Sequence, residues 1–76
     1  MGRKLTLPPG IKETDFADLA KKEPHPRTRI RLLGMAHIRD GKGLEETAQI
    51  LKVHWKSVQN WVNRFKHEGV EGLQEK

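Results

Sequence analysis

Lys56, Gln59, Asn60 and Asn63 crowd into the segment ILKVHWKSVQNWVNRF, residues 50–65, beside Arg64 and both tryptophans of the chain, Trp55 and Trp61. Asn and Gln side chains donate and accept at once, which matches the N6/N7 edge of adenine, while Lys or Arg matches O6/N7 of guanine. The set is therefore suited to reading base edges. On a helix at about 100° per residue, Trp55, Val58, Trp61, Val62 and Phe65 fall within an arc of roughly 120°, with Val58, Trp61, Val62 and Phe65 as its core. Lys56, Asn60, Asn63 and His67 line the opposite side, with Gln59 and Arg64 on its shoulders. Such a helix is held by its aromatic back while its front meets a partner. The competing reading is a solvated face, but solvated faces more often carry Glu with Lys or Arg in i, i+4 pairs. Residues 52–67 contain no acid. Two asparagines in mid-helix also give up roughly a few tenths of a kcal/mol each, which favours a reason for their presence.

The rest of the chain bounds what can stand behind this helix. It has 76 residues, a formal net charge of +5 and no cysteine, so it is one domain at most, without disulfides or a cysteine–zinc site. His25, His37, His54 and His67 show no ligand spacing, so neither a metal nor a cofactor is expected. No small-molecule substrate is expected either. No apolar run approaches the roughly 20 residues of a membrane span, and no signal-peptide block is present. The opening MGRKLT matches a short, degenerate myristoylation pattern, which we treat as chance. The expected location is cytoplasmic, and nucleoid-associated for a DNA-binding protein. Residues 1–43 carry ten Lys/Arg against five acids, and residues 44–76 five against five. A basic balance favours a polyanionic partner.

The elements follow from punctuation and period. Residues 1–12, with Pro8, Pro9 and Gly10, read as a flexible basic arm whose Arg3 and Lys4 are suited to a minor groove. Helices are expected at about 14–23, 26–40, 44–51 and 55–67. Thr14 is the candidate cap of the first, and Pro26 suits the first position of the second. Ile30, Leu33 and Ile38, with Leu32 and Ala36 beside them, give the second helix its apolar face. Gly41 and Gly43 end it, residues 52–54 form a tight turn, Gly69 closes the last helix, and GVEGLQEK trails off. The class is all-α, a small three- to four-helix bundle. Ala48, Val53, Val58 and Trp61 reproduce helix-turn-helix spacing: a small residue for close approach, a plug for the turn, and an apolar pair that seats the second helix.

GLEETAQILKVHWKSVQNWVNRFKHEGVEGL, preceded by RTRIRLLGMAHIRDGKG, resembles the helix-turn-helix of bacterial insertion-sequence transposases related to the mariner superfamily. The resemblance covers about residues 27–73. It implies an N-terminal domain that binds the terminal inverted repeats of a mobile element, as double-stranded DNA, with an acidic-triad catalytic domain following as a further partner. Three positions depart from the pattern: Lys52 where glycine is usual, His54 where the cap is usually Ser or Thr, and Trp55 where Arg is common. On this reading Lys56, Gln59, Asn60 and Asn63 contact bases, and Arg27, Arg29, Arg31, Lys52, Ser57, Arg64 and Lys66 contact phosphates. Arginines at a helix N-terminus oppose its dipole by about 0.3–1 kcal/mol per charge, which a phosphate would offset; the alternative is a solvated cluster. Other readings are a helical protein-interaction module using Ile50, and a standalone DNA-binding regulator. Catalysis by this chain is not expected, since a strand-rich nuclease core does not fit in it. The end at Lys76 suggests an excised domain or a truncated relative.

Overall fold

A computed structural model describes residues 7–74, and Arg3 and Lys4 of the expected arm lie outside them. The described residues are all-α: α1 (Phe16–Lys22), α2 (Pro26–Arg39), α3 (Leu44–Leu51) and α4 (Trp55–Glu68), closed by a 3-10 helix at Gly69–Leu73. No helix among them is long and apolar enough to cross a membrane.

The segment before α1 is part of the fold. Ile11 is 2% exposed and belongs to the core, and Pro8 is buried. Arg39 reaches across with Nε and Nη2 to donate to the Lys12 carbonyl, at 3.3 and 2.8 Å. Residues 7–12 are therefore not arm. A chain this small exposes much of its surface, so a lone isoleucine in a turn is worth burying. The cap of α1 also moves by one residue. Asp15, not Thr14, accepts the Asp18 backbone N–H at 3.1 Å. The Thr14 hydroxyl instead donates to the Gly10 carbonyl at 2.9 Å and ties down the Pro-Pro-Gly turn.

In α2, Pro26 takes the first helical position, and the Nδ1 of His25 accepts the Arg27 backbone N–H at 3.2 Å. Its inward stripe is Thr28, Leu32, Gly34, Met35 and Ile38, whereas Ile30 and Leu33 are 41% and 36% exposed. The expected apolar face was thus rotated. The reason is Gly34: a Cβ built there would stand 2.6 and 2.7 Å from ring carbons of Trp61. A missing side chain lets the Trp61 ring lie directly on the α2 backbone. Phe16 of α1 completes the aromatic centre, edge-on to Phe65 with centroids 5.3 Å apart and planes at 68°.

Glu45 and Glu46 occupy the first turn of α3, where a helix favours negative charge. Its end is a Schellman closure. Lys52 adopts φ 60°, ψ 45°, its N–H donates to the Gln49 carbonyl, and the Val53 N–H donates to the Ala48 carbonyl at 3.0 Å. Val53 packs partly buried against the core cluster that includes Ala48. The left-handed conformation is strained for Lys by about 1 kcal/mol relative to Gly. Lys52→Gly is therefore expected to raise the melting temperature by about 4–8 °C for a domain of this size. Thermal unfolding followed by circular dichroism checks it; an unchanged or lower midpoint would mean the strain is already relieved.

The C-terminal stretch does not trail off. Gly69, at φ 70°, lets the chain leave α4 and enter the 3-10 helix. That turn places Leu73 in the core with no exposure. Gly72 sits against the Arg64 carbonyl, where a Cβ would approach to 2.6 Å.

Candidate nucleic-acid interface

The turn and the aromatic centre together position α4. Val58, Trp61, Val62 and Phe65 are its buried side, as the spacing implied. Its N-terminus is capped by His54, whose Nδ1 accepts the Lys56 backbone N–H at 3.1 Å. The same imidazole stacks on Trp55, centroids 5.7 Å apart and planes at 29°. Trp55 is half-buried and packs against the core. The cap works only while His54 Nδ1 holds a lone pair.

The front of α4 is exposed. Lys56, Asn60, Asn63 and His67 form one row, flanked by exposed Arg64 and Lys66. Gln59 and Ser57 are half-buried at the two edges of the row, and the Ser57 N–H donates to the His54 carbonyl at 2.9 Å. Lys52 is exposed at the turn that leads into the helix. The front thus holds lysine, arginine, histidine and amides, with no acid before Glu68. Lys22 and Asp18 form an ion pair at 3.0 Å in α1, far in sequence from this face.

The three arginines that open α2, Arg27, Arg29 and Arg31, do not act as one cluster. Arg29 donates through Nε and Nη2 to the Glu23 carbonyl, at 3.1 and 2.8 Å, and so joins α2 to the end of α1. Arg31, half-buried, donates through Nη1 to the Leu73 carbonyl at 3.1 Å and tethers the 3-10 helix. Both guanidinium groups serve the fold, because carbonyls at helix ends lack intrahelical donors. Arg27 is exposed in the first turn of α2.

Two features escaped the sequence reading of site residues. Gly34 is one: it decides how α4 is seated, and a glycine in mid-helix is a signal for close approach. The other is the contact of His67, which the spacing had put in the row without a role: its Nδ1 lies 2.8 Å from the Asn63 carbonyl oxygen one turn earlier, fixing the ring at the end of the exposed row.

Neither curated proteins nor solved structures give a match to the chain. A family of homeodomain-like domains matches residues 25–74, which takes in α2, α3, the turn, α4 and the 3-10 helix. The architecture and the basic, acid-free front of α4 thus coincide with a helix-turn-helix class that suggests DNA as partner, and the chain belongs to the homeodomain-like domain family.

Proposed function

We propose that the chain binds double-stranded DNA in a sequence-specific way, with α4 as the helix that enters the major groove. The observation that carries this reading is the exposed row Lys56, Asn60 and Asn63, set opposite a buried aromatic side that fixes its orientation. A helix about 10–12 Å across fits a major groove about 12 Å wide, and Lys56 to Asn63 span about 10.5 Å along its axis. Asn60 and Asn63 read adenine edges, Lys56 reads guanine, and Gln59 contributes from the edge of the row. Lys52, Ser57, Arg64, Lys66 and Arg27 supply phosphate contacts, which set register on the duplex. Four of these are cations, and about four neutralised phosphates give a slope of log K against log salt near −3.6.

Asn60→Ala is the direct test. It is expected to weaken binding to the preferred site by about 1–3 kcal/mol and to leave binding to random duplex nearly unchanged. Selection from a random library followed by titration of both duplexes reads the difference. Equal weakening on both would remove Asn60 from base reading.

The finer reading, recognition of transposon inverted repeats as the N-terminal domain of a transposase, rests on the resemblance of residues 27–73. A selected site that occurs in inverted orientation on both sides of the encoding gene supports it. A lone site upstream of a gene supports the regulator instead. Either places the protein at the nucleoid. Ile50, 46% exposed on α3, keeps a protein-interaction role as second reading, recognisable by binding that salt barely weakens.

A further inference from the structure

His67 ends the row that Lys56, Asn60 and Asn63 begin, and it differs from them in reach. It lies eleven residues beyond Lys56, a rise of about 16.5 Å. A recognition helix meets base edges with its N-terminal residues and leaves the curving groove toward its C-terminal end, so a row that starts on bases at Lys56 brings His67 to the phosphate backbone. Its ring state decides what it does there. Nδ1 is 2.8 Å from the Asn63 carbonyl oxygen, an atom that only accepts, so Nδ1 carries hydrogen. In the neutral ring the outward Nε2 is then a bare acceptor, which a phosphate oxygen repels. A second proton, taken from solvent onto Nε2, makes it a donor while the bond to Asn63 is kept.

Resting on the DNA reading above, we infer that His67 contacts a DNA phosphate as the imidazolium, so that binding is coupled to uptake of one proton. Histidine is the side chain whose charge ordinarily changes between about pH 5 and 8, and the last turn of a helix favours a cation. The charged groups near it in the chain are Arg64, Lys66 and Glu68 of α4 and Glu71 of the 3-10 helix. Among the described residues no acid lies within ion-pair distance of its ring, and α2 and α3 pack on the buried arc at the opposite side of α4. His54 at the other end has the reverse preference, because its Nδ1 must accept the Lys56 N–H. The two Nδ1 atoms of α4 thus play opposite parts, acceptor at 54 and donor at 67, and a substitution at 67 leaves the cap in place.

The test compares wild type, His67→Gln and His67→Lys on a pool of random duplexes at low salt. Fluorescence anisotropy is read from about pH 8 to about pH 5.5. His67 is exposed, and far-ultraviolet dichroism confirms that each variant is folded. His54 is present in all three proteins, so differences between the curves report on position 67. The ratio of wild-type to Gln-variant affinity is expected to rise by about three- to tenfold as pH falls, with the salt slope of wild type steeper by about one at the acid end. The ratio of Lys-variant to wild-type affinity should fall toward one over the same range. Duplex binding with a pH-independent ratio between wild type and the Gln variant overturns the role of His67 and leaves the DNA reading standing. If none of the three proteins binds duplex at low salt, the DNA reading falls and this inference with it.

Discussion

Trp61→Ala is expected to destabilise the domain by about 3–5 kcal/mol. At roughly 0.05–0.15 kcal/mol per residue, a chain of this length has about 4–11 kcal/mol in all, so the loss removes about a quarter or more of it. The ring does more than fill volume. It lies on the α2 backbone where Gly34 has no side chain, and it is the contact that sets the distance between α2 and α4. A double-mutant cycle isolates that contact. Gly34→Ala alone pushes a methyl to within 2.7 Å of a rigid ring. The clash is expected to cost about 1–3 kcal/mol, outweighing the gain of about 1 kcal/mol that alanine brings to a helix interior. In the Trp61→Ala background the ring is gone and the close neighbour left is the Leu51 Cδ1 at 3.3 Å, the end of a flexible side chain with the vacated ring space to move into, so the gain prevails and the sign should reverse. Urea unfolding of the four proteins measures it. If Gly34→Ala has the same effect in both backgrounds, Trp61 is not the reason for glycine at 34.

What the sequence revealed, and what it hid, follows from where each signal is stored. The recognition helix was legible because its aromatic and amide residues sit on opposite sides at one helical period, so the buried arc and the exposed row follow from counting alone. The turn was legible too: Ala48, Val53, Val58 and Trp61 have fixed offsets, and Lys52 was recognisable as an exception in a position that demands φ near 60°. The inward stripe of α2 was not. Counting apolar residues favoured Ile30 and Leu33, whereas the packed stripe includes Thr28 and Gly34, which contribute by being small. The arginines at the start of α2 were less legible for another reason. A guanidinium near a helix start suits an anion, but the carbonyl that Arg31 bonds is 42 residues away in sequence. No local pattern encodes a partner at that distance. Thr14 and Asp15 are both good caps one residue apart, and the choice between them was made by the turn at Gly10.

Leu73→Ala is expected to cost about 2–5 kcal/mol, although Leu73 lies in a short stretch after the last α-helix that reads as a tail. Its side chain has no exposure, so truncation leaves a cavity among residues that the surrounding helices hold in place. The melting temperature should drop by roughly 10 °C or more. The neighbouring bond gives the matching test on the other side of the contact. Arg31 donates to the Leu73 carbonyl, and a hydrogen bond to a charged donor contributes about 1.5–3 kcal/mol when buried, less here because the pair is only partly buried. Arg31→Ala should therefore lower the melting temperature while leaving the salt slope of DNA binding unchanged. A phosphate contact gives the opposite signature: an unchanged melting temperature and a slope shallower by about one. The first pattern means that the 3-10 helix is fastened to α2 by Arg31 and that the cations facing DNA are those of α4 and its turn together with Arg27. The second returns Arg31 to the DNA surface and leaves Leu73 held in the core by its side chain alone.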